Sequence, residues 1–163
     1  MKFSAQEEYG LRCLLAIAKS PEGSATIPEI SRQEQLSESH VAKLLMILRK
    51  ENFVASSRGQ TGGYTLARLP EEIVVGDVLN ALGGRLYDDE YCTKHSGLGD
   101  ACVHGSGCAL SDLWNSIQEA VDSVTHRVTL ASLLAPSEGA ATIRLRPSMP
   151  QAIRKKVVSR STP

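Results

Sequence analysis

The sequence predicts a mainly α-helical chain that carries one small β-hairpin. Three observations predict it. Apolar residues recur at helical spacing over most of residues 4–134. Aromatic residues make up only 4% of a chain that is 42% hydrophobic, so its core must be built from Leu, Ile, Val and Ala, which suits helices. Residues 53–68 depart from the period, as two short runs around a Gly-bearing turn. At 163 residues the chain has room for one domain, or one domain with an appendage.

Residues 4–19 read as the first helix, opened by a Ser4–Glu7 capping box, with Leu11, Leu14, Leu15 and Ala18 as its apolar stripe. Pro21-Glu-Gly-Ser ends it. A second capping box, Thr26 to Glu29, with Pro28 in the first turn, opens a short helix to about Gln33. After Glu34-Gln-Leu-Ser37, a third helix is expected near 38–51, its core face formed by Val41, Leu44, Leu45 and Leu48. Two short amphipathic helices joined by a few residues form the helix-turn-helix pattern. The hairpin that follows reads as a wing, and a helix resumes over 71–83 until Gly83-Gly84 stops it.

Beyond a Gly-rich segment, the longest periodic element spans roughly 109–134. Leu110, Leu113, Ile117, Val121, Val124 and Val128 recur at three- and four-residue steps, a coiled-coil-like seam in which Trp114 reads as an anchor. The chain thus divides into a winged helix-turn-helix head (1–84), a cysteine-bearing loop (85–108), a dimerisation helix (109–135) and a basic, flexible tail (136–163). No internal repeat is present.

Net charge is zero, but its distribution is uneven. The tail holds Arg144, Arg146, Arg154, Lys155, Lys156 and Arg160 against Glu138 alone, so the rest of the chain is acidic. A nucleic-acid binder of that kind must concentrate positive charge locally. Lys43, Arg49, Lys50, Arg58 and Arg68 do so across 37–68, against Glu38 and Glu51. On the third helix, Ser39, His40 and Lys43 are the candidates for base edges in the major groove, and Arg49 and Lys50 for phosphates. In the wing, Gly59 lets the backbone approach the duplex and Arg58 suits a narrow minor groove. The alternative is a small helical domain with solvated charges.

Cys92, Cys102 and Cys108 cluster in the loop, separated by nine and then five residues. No secretory leader is evident, and no apolar run nears the roughly 18 residues of a membrane span. A cytoplasmic chain is expected, where clustered thiols bind metal more often than they form disulfides. Three readings follow: a soft-metal or iron–sulfur site, a closed zinc site of Cys92, Cys102, Cys108 and His104, or a metal-free thiol sensor. Zinc sites usually contain a close C-x₂₋₄-C pair, which the loop lacks. Cys13, mid-helix, reads as a packing residue. With no C-x-x-C and no Cys-His-Asp arrangement, an enzyme is not expected.

The order helix, helix-turn-helix, Ser57-Arg58-Gly59-x-x-Gly62-Gly63-Tyr64-x-Leu66, helix, cysteine loop and long helix resembles one family. It is similar to the Rrf2 (Rrf-two) family of bacterial winged-helix regulators, which includes IscR-like and NsrR-like iron–sulfur regulators. The resemblance covers residues 1–135 and leaves the tail outside. It implies a homodimer on a palindromic operator in double-stranded DNA, with the long helix at the dimer seam and Arg58 as the wing arginine. It further implies a repressor or activator controlled by an iron–sulfur cluster that answers to redox state, nitric oxide or iron supply. The second cysteine gap matches cluster-binding members, whereas the first is longer than their usual five residues. IscR-like members take a fourth ligand from a His three residues after the last Cys, and Ser111 stands there instead. NsrR-like members use a carboxylate early in the first helix of the partner subunit, which corresponds to Glu8. That resemblance favours a 4Fe–4S over a 2Fe–2S cluster. His104 is a rival fourth ligand, with His95 and Glu7 behind it. Glu8 is expected to top the buried stripe of the first helix, or else to pair with Arg12.

Overall fold

The computed structural model describes residues 3–57, 62–88, 90–99, 102, 104 and 107–135. Its order is α1 (Ala5–Lys19), β1 (Ser24–Ala25), α2 (Ile27–Glu34), α3 (Glu38–Lys50), β2 (Val54–Ser57), β3 (Gly63–Leu66), α4 (Val75–Gly83), α5 (Tyr91–Lys94), α6 (Ala109–Thr125) and α7 (Leu130–Leu134). It is mainly helical with one small antiparallel sheet, a winged helix-turn-helix.

Local chemistry explains where the helices start. Ser4 and Glu7 form a reciprocal capping box on α1, as do Thr26 and Glu29 on α2. The Thr26 backbone N–H bonded to Glu29 holds that carboxyl below its ordinary range. Between α2 and α3 the chain reverses through Gln35 in the left-handed region (φ 54°). The β2–β3 hairpin runs from Val54 opposite Leu66 to Ser57 opposite Gly63. Beyond the expected wing, the two-residue β1 joins β3 through Ser24–Thr65 and Ala25–Tyr64, giving the sheet order β1-β3-β2.

The core gathers Leu14 and Ile17 from α1, Ile30 from α2, Leu44, Leu45 and Leu48 from α3, Ile73 before α4, and Val78 and Leu82 on it. Helices α1 and α4 meet closely at Gly10, where a Cβ would lie 2.3 Å from a Leu82 methyl. At the other end of that contact Gly83 makes room for the Glu7 carboxylate, which a Cβ would meet at 2.6 Å.

Two expected helices have different limits. The fourth begins at Val75 rather than residue 71, because Val74 is extended and bridges Thr129 in the chain beyond α6. The Leu130 N–H donates to the Ile73 carbonyl (2.8 Å) and the Val75 N–H to the Val128 carbonyl (2.9 Å). The long helix expected over 109–134 is two helices. A new capping box, Thr129 with Ser132, starts α7, and Leu130 plugs into the core of the head. Val128 therefore belongs to the link and not to the seam. Among the described residues, no helix is long and apolar enough to cross a membrane.

Candidate DNA interface and cysteine site

Helix α3 separates its two faces cleanly. Ser37 caps it, its Oγ accepting from the His40 N–H (3.3 Å), and Val41, Leu44, Leu45 and Leu48 are buried. Ser39, Lys43, Arg49 and Lys50 are exposed on the other side. Met46 joins them at 61% exposure, an apolar side chain that charge and hydrogen-bonding arguments had no reason to select. His40 is half-buried and meets the Tyr9 ring edge-on, centroids 5.5 Å apart, so α1 steadies it. Arg49 reaches Ser56 on β2 (3.5 Å), joining α3 to the hairpin. Arg58 and Gly59 lie outside the described residues, as does the whole tail from 136.

Arg12 braces the helix-turn-helix from behind. Its Nε bonds the Glu34 carboxylate at 2.7 Å and its Nη2 donates to the Glu34 carbonyl at 2.8 Å. Glu34 raises the guanidinium pKa through that hydrogen bond. Arg12 thus forms its ion pair with Glu34 and not with Glu8. Glu8 is exposed, whereas Glu7 turns inward and bonds the Ser4 N–H at 2.6 Å. The inward stripe of α1 runs through Glu7, Gly10, Cys13, Leu14 and Ile17, one residue out of phase with a stripe topped by Glu8.

Cys13 is fully buried in the core, and burial pushes its thiol up to about 12. The other three differ: Cys92, Cys102 and Cys108 are each half-buried and all are free thiols. Cys92 lies in α5, and Cys108 takes the N-cap position of α6, where the helix dipole favours negative charge. His104 is exposed. His95 stacks on Tyr91 (4.2 Å) and its Nδ1 lies 2.8 Å from the Tyr91 carbonyl oxygen. Among the described residues, no three His, Cys, Asp or Glu side chains are close enough to hold a metal ion.

One neighbour of the loop escaped the sequence altogether. The Tyr87 hydroxyl lies 2.6 Å from Ser111 Oγ and 3.6 Å from Cys92 Sγ. The Ser111 hydrogen bond pulls the phenol pKa down, but the Cys92 hydrogen bond, burial and the charges of Cys92 and Cys108 leave it raised overall. Nothing local in the sequence links Tyr87 to Ser111, because 24 residues separate them.

Among the described residues, helix α6 packs on α4. Leu110 (56%), Leu113 (49%) and Trp114 (36%) are exposed, and Gln118 is its buried residue.

Comparison with known proteins agrees with this arrangement. Residues 3–136 match the Rrf2 family, described as an iron-dependent transcriptional regulator. The HTH-type transcriptional regulator IscR of Serratia proteamaculans is 32% identical over 135 residues, covering 82% of this chain and 79% of that one. Among solved structures, T. potens IscR is 31% identical, with a TM-score of 0.62 over 82% of this chain and 86% of its own. CymR, the global cysteine regulator of B. subtilis, is 29% identical, with a TM-score of 0.60 over 82% of this chain and 96% of its own. The relatives are transcriptional regulators and not enzymes. The chain belongs to the Rrf2 family of DNA-binding, winged-helix transcriptional regulators.

Proposed function

We propose that the protein is a cytoplasmic homodimer that binds a palindromic operator with an affinity set by an iron–sulfur cluster. The observation that carries this reading is the placement of three free, half-buried thiols between the DNA-binding head and a helix on which Leu110, Leu113 and Trp114 are exposed among the described residues. Cys92, Cys102 and Cys108 fit such a group by their chemistry, since iron–sulfur clusters are held by Cys thiolates. The lack of a close C-x₂₋₄-C pair in the loop favours a cluster over a zinc site of Cys92, Cys102, Cys108 and His104. Glu8, exposed on α1, is open to a second subunit and serves as the fourth ligand there, with His104 its rival. The set resembles the NsrR-like one, which favours a 4Fe–4S cluster.

When bound, the cluster supplies a centre whose integrity depends on oxidants, nitric oxide and iron supply. The chain's own residues do the rest. Leu110, Leu113 and Trp114 pack against a second copy of α6, a contact that fixes the separation of the two heads. On each head, Ser39 and Lys43 meet base edges while Arg49 and Lys50 meet phosphates, with Arg58 entering the minor groove. His40, held by Tyr9, sits at the rim of the base-reading surface.

The test is operator affinity measured without oxygen, before and after the cluster is stripped, on a duplex selected from random sequence. Allosteric couplings run to about 5–150-fold, and a change in that range is expected. Equal affinity in both forms overturns cluster control. A regulatory disulfide between two loop cysteines, found by mass spectrometry in a metal-free protein that still responds to oxidant, would favour the thiol-sensor reading instead.

A further inference from the structure

We infer that Tyr87 is a positioning residue for Cys92 and that, through Ser111, it ties the state of that sulfur to the first turn of α6. The inference rests on the reading that Cys92 is a ligand. Tyr87 is fastened to α6 at two places. Its hydroxyl lies 2.6 Å from Ser111 Oγ, and its backbone N–H donates to Gln118 Oε1 at 3.1 Å. Gln118 is itself buried, and its Nε2 donates to Asp122 Oδ1 (2.8 Å), whose other oxygen accepts from Arg85 (2.7 Å). On its other side the Tyr87 ring packs on Tyr91 of α5, centroids 5.2 Å apart, and its hydroxyl reaches Cys92 Sγ at 3.6 Å.

Proton counting gives this arrangement a direction. A phenol has one proton and two neighbours here. A ligated Cys92 sulfur carries none and only accepts, so Tyr87 donates to the sulfur and Ser111 donates to the Tyr87 oxygen. A free thiol is a weak acceptor, and the Tyr87 proton then turns to Ser111, whose oxygen is the better partner. Ligation of Cys92 therefore reverses the Tyr87–Ser111 hydrogen bond at the start of α6. A tyrosine that served only as packing would need its ring but not its hydroxyl.

The experiment uses the full chain with Cys102 and Cys108 changed to Ser, so that Cys92 is the loop's remaining thiol, and methylmercury as a ligand that takes one sulfur. Hydrogen exchange is followed at amides 109–113 with and without mercury. The tyrosine-containing protein is expected to change its exchange there by about fivefold, the worth of one ordinary hydrogen bond. Tyr87→Phe and Ser111→Ala should lose that response and keep the exchange pattern of α3. A response that survives in Tyr87→Phe, or no response with Tyr87 present, overturns the inference. A second readout uses the unmodified cysteine set after anaerobic reconstitution. Hydrogen bonds to cluster sulfurs help to set the potential. Tyr87→Phe should lower it, by about 59 mV if the reduction equilibrium shifts tenfold. An unchanged potential overturns the bond to sulfur. Should no cluster assemble, the proposed cofactor fails while the mercury measurement still decides the role of Tyr87.

Discussion

Leu130→Ala tests whether the chain beyond α6 returns to the head. Leu130 has 0% of its surface exposed and lies in the main core, whereas Leu133, one turn on in the same helix, is 40% exposed. Truncating a fully buried Leu costs about 2–5 kcal/mol through lost transfer energy and a residual cavity. At this chain length each kcal/mol is worth about 4 °C in Tm, so the midpoint should fall by about 8–20 °C. Leu133→Ala changes helix propensity identically but opens no cavity, and its cost should stay below about 1 kcal/mol. The assay is thermal unfolding followed by circular dichroism, at one fixed protein concentration because the proposed dimerisation would make Tm concentration-dependent. Equal small losses for both variants would mean that Leu130 is not in the core and that α7 continues the α6 seam.

Three further outcomes are expected. Cys102→Ala should abolish the visible chromophore of the reconstituted protein while helix content stays intact by circular dichroism; a full chromophore in that variant removes Cys102 from the ligand set. Arg58→Ala should weaken operator binding by about 1–3 kcal/mol at fixed salt, measured by fluorescence anisotropy, and unchanged affinity removes Arg58 from the interface. In the native, metal-free protein iodoacetamide should label Cys92, Cys102 and Cys108 within the time in which Cys13 stays unlabelled, because Cys13 is buried and its thiol is pushed up to about 12. Labelling of Cys13 at the same rate, read by peptide mass spectrometry, would contradict its place in the core.

What was legible in the sequence was what short-range chemistry decides. The capping boxes Ser4–Glu7 and Thr26–Glu29 join residues three apart, and both appear where expected. The apolar face of α3 and the hairpin after it follow from periodicity and a Gly-bearing turn. Long-range pairing was not legible. Strand β1 is two residues long and exists only because β3 lies beside it. The seam period ran on through Val128, but the Thr129–Ser132 cap and the Ile73 carbonyl divert the chain into the head. On α1 Leu14 is buried as expected, but Leu11, Leu15 and Ala18 only flank the core half-buried, while Glu7, Gly10 and Cys13, one residue out of phase, are buried. That slip exchanges the surroundings of Glu7 and Glu8. At the cysteine site, the three thiols stood out by composition, but Tyr87 and Ser111 meet only in the folded chain.

The central claim is the cluster, and its most direct test is purification without oxygen followed by a visible spectrum and assays of iron, sulfide and zinc. The account predicts a brown protein with iron and sulfide in matching amounts, in a ratio to chain that fits one cluster per subunit. A colourless protein that stays free of iron and sulfide after anaerobic reconstitution, whether it holds one zinc per chain or no metal at all, would contradict it.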